Sequence, residues 1–195
     1  MNYLAHVYLS GSNKELAIGN FIADHVKGKA YLEYPEIIQN GILLHRKIDH
    51  FTDQHPIFKK NVTLLFPKFR QYSRVIVDMF FDHFLAVQWE LYHPEPLEDF
   101  SIKFYTMMEQ YSGNLPDKTK KILPVISKYN WFLAYRSLEG LESILFQMSQ
   151  RTRFASNMYL AIPDLQENYS EVAMDFTVFF DELKDFVQLE KENRC

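Results

Sequence analysis

Several things are scarce or missing in this 195-residue chain, and each absence narrows the reading. Its one cysteine, Cys195, is the last residue, so no disulfide framework can form and a reducing compartment is expected. No apolar run approaches the roughly 18 residues that a membrane-spanning helix needs, so no span is expected. The opening MNYLAHVYLSGSNKEL lacks a basic segment followed by an apolar one, so no signal peptide is expected and the reading is a cytoplasmic protein. There is no CxxC, HExxH, EF-hand loop, P-loop or nucleophile elbow, and Gly11 and Gly19 belong to no phosphate-cradling pattern. Internal repeats, low-complexity tracts and Gly/Ser linkers are also absent. A net charge of −4 with pI near 6.0 argues against a nucleic-acid surface covering the molecule.

What is present points to one compact domain over residues 1–195, because 47% of the chain is apolar and 16% aromatic. The punctuation is helical. Ser12 or Asn13 can cap a helix to about Val26 with Gly28 as its stop, and Pro35 opens a second helix ending near Gln54. A short helix to about Leu65, a buried one from Ser73 to Tyr92, and amphipathic segments near 97–111, 116–128, 138–150 and 165–191 complete an all-α reading. Only Ala5 to Leu9 hints at extended structure.

Charge is distributed unevenly. All seven histidines fall in the first 93 residues. Lys59 to Arg74 carries five basic residues and no acid, whereas Asp164 to Glu192 carries nine acids against two lysines. Solvated helix faces account for the acidic tail; the basic run can also steer an anionic partner.

The segment VIVDMFFDHFLAV, residues 75–87, is apolar except for Asp78, Asp82 and His83. A helix hydrophobic all round is buried, and aspartate goes inside only when paired or bound to a cation. Asp78 and Asp82 lie one turn apart, so something positive is required beside them, a divalent metal being the first candidate. In the second helix, Ile37, Leu44, Ile48 and Phe51 form an apolar stripe, with His50 on the solvent side. His45, Asp49 and Asp53 follow each other at four-residue spacing along the flank, and Asp24 can add an oxygen ligand. Carboxylates with one or two imidazoles favour Mn²⁺, Mg²⁺ or Fe. Spacing leaves other arrangements open: His45–Asp49 as a plain ion pair, and Asp78 and Asp82 capping a loop or paired with Arg46 or Arg74. His6 reads as a satisfied core histidine.

The segments MNYLAHVYLS, IGNFIADHVKG, GILLHRKIDHFTDQHP and VDMFFDHFLAVQW, in that order, resemble the acyl carrier protein phosphodiesterase family. The resemblance implies a distorted HD-domain-like helical fold. It also implies hydrolysis, usually with Mn²⁺, of the phosphodiester joining 4′-phosphopantetheine to a serine of holo-acyl carrier protein. By the resemblance, Asp24, His45, Asp49 and Asp82 hold metal, and His6, Asp53, Asp78 and His83 serve supporting or proton-transfer roles. Lys27 or Arg46 is then expected to hold the phosphate's charge, with His83 or His6 as proton donor to the leaving serine. Acyl carrier proteins are strongly acidic, so the basic run, with Lys68 and Arg70, is expected to dock the substrate. One departure stands out: the chain has no His-Asp dipeptide and instead three Asp-His pairs, at Asp24, Asp49 and Asp82. Two rival readings are an HD-type hydrolase of nucleotides or small phosphodiesters, and a non-catalytic helical module that binds carrier protein or metal.

Overall fold

Helix α1, Tyr3–Leu9, is the first departure from expectation: the residues that hinted at a strand are helical in the computed structural model, which describes residues 1–152 and 154–192. Seven residues are too few to sustain a helix alone. Their free N–H groups are met by Asn2, whose side chain accepts from Tyr3 N, and by Asp82, which accepts from Asn2 N (3.1 Å) and Leu4 N (2.9 Å). The second cap comes from about eighty residues away, beyond the reach of any local signal.

Helix α2, Lys14–Ile22, is capped by Asn13 as expected and ends earlier than expected, passing into a 3₁₀ turn at Ala23–His25. Helix α3, Glu36–Gln54, packs closely along it. Two glycines make that approach possible. A Cβ on Gly19 would lie 2.2 Å from the Ile38 carbonyl oxygen, and one on Gly41 would lie 2.3 Å from that of Leu16. The buried face of α3 is Ile38, Gly41, Ile42, Leu44, His45, Ile48 and Thr52, which corrects the expected stripe: Ile37 is exposed and Ile38 is not.

Helix α4, Pro56–Phe69, runs past its expected end near Leu65, and α5, Ser73–Val87, is buried nearly all round. The chain then turns through α6, Trp89–Tyr92; α7, Leu97–Gln110; α8, Asp117–Lys128; α9, Trp131–Ala134; and α10, Leu138–Ser149. Helices α11, Ile162–Glu167, and α12, Tyr169–Glu192, close the fold. No strand occurs among the described residues, and no helix there is long and apolar enough to cross a membrane. Cys195 lies outside the described residues.

One continuous core joins these elements, with α5 at its centre: Phe81 meets Phe58 of α4 and Phe176 and Phe179 of α12. The two sequence charge runs turn out to face each other. Lys60 pairs with Glu171 and Asp175, and Lys68 with Asp164, so the basic run is largely neutralised within the molecule.

Candidate metal centre

The close α2–α3 contact sets one residue of α2, Asn20, between two histidines from different helices. Asn20 is fully buried. Its Nδ2 donates to the His6 carbonyl (2.8 Å) and to Ser10 Oγ (3.1 Å), which fixes the orientation of its amide. Its Oδ1 is therefore an acceptor toward His6 Nδ1 (2.8 Å), and its main-chain carbonyl accepts from His45 Nδ1 (2.8 Å). Both rings carry their proton on Nδ1 by this network, so both turn an Nε2 lone pair the same way. The rings stack with centroids 3.9 Å apart.

Facing those lone pairs is Asp49, one turn on from His45. Its Oδ1 lies 3.2 Å from His6 Nε2 and its Oδ2 lies 3.1 Å from His45 Nε2. Asp24, in the turn after α2, brings Oδ1 to 3.2 Å from His45 Nε2. Although close to Asp49, His6 Nε2 has no hydrogen bond of acceptable geometry. A buried imidazole lone pair beside a carboxylate is an arrangement that a cation satisfies. The ligand atoms of His6, His45 and Asp49 lie within 4.8 Å of one another, as a metal's coordination shell requires.

This cluster opens into a cavity of about 290 Å³, which Asp53 and Asp78 also line. Thr52 Oγ1, buried at its wall, has no hydrogen-bond partner among the described residues either. Among the described residues, four aspartates line the space, and the one cation lining it besides the imidazoles is the Met1 ammonium. Without metal the electrostatics are those of a proton trap. Burial works against a charged His45, but Asp24 and Asp49 outweigh it and raise its pKa to about 9. Burial likewise opposes the charge on Asp49, yet the adjacent His45 and His6 rings hold its carboxyl well below the usual range. Burial and the neighbouring His45 push His6 downward.

The paired aspartates of α5 divide. Asp78 Oδ1 accepts from the Met1 ammonium at 2.5 Å, and burial raises the carboxyl to about 6. The positive group that the buried aspartates demanded is thus an amine of the chain itself, not Arg46 or Arg74. Asp82, expected from the resemblance as a metal ligand, lies outside the cluster, and its two oxygens accept from the backbone N–H groups of Asn2 and Leu4 at the start of α1. Its burial raises it to about 7.

His83 is also placed apart from the cluster. It is buried between the Tyr135 carbonyl (2.7 Å) and the Tyr169 hydroxyl (2.9 Å), away from the cavity. Asp53 stays at the cavity wall, paired with Arg74 at 3.3 Å. Arg46 does not reach the cavity; its guanidinium holds the carbonyls of Val26 (3.0 Å) and Gly28 (2.9 Å). Lys27 is exposed beside that loop and does not line the cavity. Lys68 is tied to Asp164, and Arg70 sits over the Phe66 ring. His50 is exposed, as expected.

The residue missed from sequence is Asn20. Its signal was there: a lone amide in the apolar run from Ala17 to Ile22. His6, read as core filling with a supporting role, is also drawn into the cluster.

The chain is 26% identical to the acyl carrier protein phosphodiesterase of Photorhabdus laumondii over 195 residues, covering 100% of this chain and 96% of that protein. It is 28% identical to the protein of that name from Pectobacterium atrosepticum over 181 residues (92% and 94%), and 27% identical to that of Escherichia coli O6:H1 over 184 residues (92% and 94%). No solved structure matches the chain, so kinship to HD domains rests on the resemblance of motifs alone. The family model described as acyl carrier protein phosphodiesterase matches residues 1–183, and the chain, with its helical fold and His/Asp cavity, belongs to that family of enzymes.

Proposed function

We propose that this protein hydrolyses, in a metal-dependent reaction, the phosphodiester joining 4′-phosphopantetheine to a serine of holo-acyl carrier protein. The observation that carries the metal is the convergence of two Asn20-oriented Nε2 lone pairs on the Asp49 carboxylate. His6, His45 and Asp49 are the ligands, with Asp24 in reach as a fourth. This oxygen and imidazole set suits Mn²⁺, with Mg²⁺ or Fe²⁺ in the same class. Bound there, such an ion supplies Lewis acidity toward a phosphoryl oxygen and makes water a stronger nucleophile near neutral pH.

The chain's own groups supply the rest. Asn20 fixes which nitrogen of each ring points inward, and buried α1 keeps His6 in register with His45. Hydrolysis adds water across the P–O bond: hydroxyl ends on phosphorus and a proton must end on the serine oxygen. Asp78 Oδ2 is suited to donate that proton, because the carboxyl lines the cavity and burial holds its pKa to about 6. It replaces His83, which is turned away from the cavity. The products are apo carrier protein and 4′-phosphopantetheine.

The deciding experiment is mass spectrometry of holo-acyl carrier protein incubated with this protein, with Mn²⁺ or with EDTA. Loss of the whole phosphopantetheine with Mn²⁺ alone is expected. An intact holo protein beside turnover of nucleotides or small phosphodiesters would move the reading to the nucleotide hydrolase. Inertness toward all of them with metal bound would mark a binding module.

A further inference from the structure

The basic run Lys59–Arg74 is poorly placed to hold a partner, since Lys60 and Lys68 are tied to acids of α11 and α12 and Arg74 to Asp53. A different set of lysines has no such partners. Lys27 and Lys29 lie in the loop that begins at the metal-centre residue Asp24, and Lys118 and Lys121 lie on α8; all four are exposed. None of them is in an ion pair with a described residue.

The two segments form one surface. His25 Nδ1 hydrogen-bonds Thr119 Oγ1 at 2.8 Å, which ties the loop to α8. Lys118 is the sequence neighbour of Thr119 and so lies beside the loop. Lys121 follows Lys118 by one turn and shares its face. Arg46 secures the loop through the Val26 and Gly28 carbonyls, so Lys27 is carried on a fixed backbone. Residues 25–34 and 117–121 together hold five lysines against two acids, Glu33 and Asp117, in a chain whose net charge is −4.

The surface is not purely electrostatic. Leu32, 57% exposed, stands in the same loop, and Ile37, 40% exposed, opens α3 just after it. Exposed apolar side chains next in sequence to exposed lysines match a folded protein partner, where a polyanion such as nucleic acid would find no use for them.

We infer that this rim, Lys27, Lys29, Lys118 and Lys121 together with Leu32 of the same loop, is the docking surface for an acidic face of the protein substrate. It rests on the proposed function for the identity of that substrate, the carrier protein. Its position supplies the reason: the loop starts at Asp24, which lines the cavity and reaches His45, so a partner seated on the rim lies next to the cluster.

The test measures binding of fluorescently labelled apo-acyl carrier protein by anisotropy, which needs no turnover, and KM for the holo form in parallel. Lys27→Glu/Lys118→Glu/Lys121→Glu is expected to raise Kd and KM about tenfold at low salt, an increase that shrinks as salt screens it. Lys59→Glu, on the neutralised face, is expected to leave Kd as it is. The unfolding temperature and Mn²⁺ affinity of the triple variant report whether its fold is intact. A Kd unmoved by the triple reversal, or moved equally by Lys59→Glu, would overturn the assignment. So would wild-type protein holding heparin as tightly as the carrier. Cleavage of the carrier with no effect of the reversals sinks the docking surface alone. Rim-dependent binding without cleavage sinks the phosphodiesterase reading alone.

Discussion

His6 and His45 stack face to face, 3.9 Å between centroids and 19° from parallel, though they come from helices separated by nearly forty residues. Both rings donate from Nδ1 to one residue, Asn20, and both aim Nε2 at one carboxylate, Asp49. Two stacked imidazoles repel when both are charged; shared lone pairs toward one cation remove that repulsion.

Asn20→Ala is expected to weaken Mn²⁺ binding by about 10–100-fold, since His6 loses the acceptor that sets its tautomer. It also strips a donor from Ser10 Oγ and the His6 carbonyl, so the unfolding temperature should drop as well. Calorimetric titration with Mn²⁺ checks the first effect; unchanged affinity would count against the metal centre as drawn.

Asp49→Asn and Asp82→Asn should separate the two roles that spacing could not. Asp49→Asn is expected to abolish metal binding and turnover. Asp82→Asn should leave Mn²⁺ affinity within about threefold while lowering stability by about 1–3 kcal/mol, because one of two capping acceptors on α1 becomes a donor. Denaturant unfolding beside metal titration distinguishes them.

Metal binding should depend on pH with a definite sign. In metal-free protein the carboxylates around His45 outweigh burial and keep its ring protonated up to about 9. An ion must displace that proton, so affinity should rise about tenfold per pH unit below pH 9, with close to one proton released per ion near pH 7. Titration in two buffers of different ionisation enthalpy measures the release, and no release would refute it.

The same shifts predict how the metal-free fold responds. His45, raised above its unfolded value, contributes stability that is full below its ordinary pKa near 6.5 and is lost as pH rises through 9. Burial raises Asp78 to about 6 and Asp82 to about 7, so the folded state binds more protons than the unfolded one across that range. Below about pH 6.5 the lowered His6, His25 and His83 work in the opposite sense, so the clear expectation lies above it: in EDTA the unfolding temperature should fall from about pH 7 to about pH 9. A rise would contradict it.

Gly41→Ala should wedge α2 from α3, since its Cβ would meet the Leu16 carbonyl at 2.3 Å. A loss of roughly 1–3 kcal/mol is expected, with weaker Mn²⁺ binding because Asn20 and Asp24 ride on the displaced segment. Thermal unfolding and metal titration read both.

Much was legible in the sequence because it is local. Helix periodicity, the Asn13 cap, Pro35 at the start of α3 and the mostly apolar α5 each follow from neighbours within a turn or two, and so does the four-residue step from His45 to Asp49. The demand that buried Asp78 and Asp82 find positive or donor partners also follows from the chain alone, because desolvating a carboxylate leaves no other choice. Which partners they find does not. Asp82 became the cap of α1 and Asp78 the mate of the Met1 ammonium only when the chain's first residues were laid on α5. The merging of His6 with His45, the choice of Asn20 as their common anchor and the cancellation of the basic run by α11 and α12 are likewise contacts between distant segments. Sequence spacing constrains side chains along one helix; only the packing of helices, set here by Gly19 against Gly41, decides which faces meet.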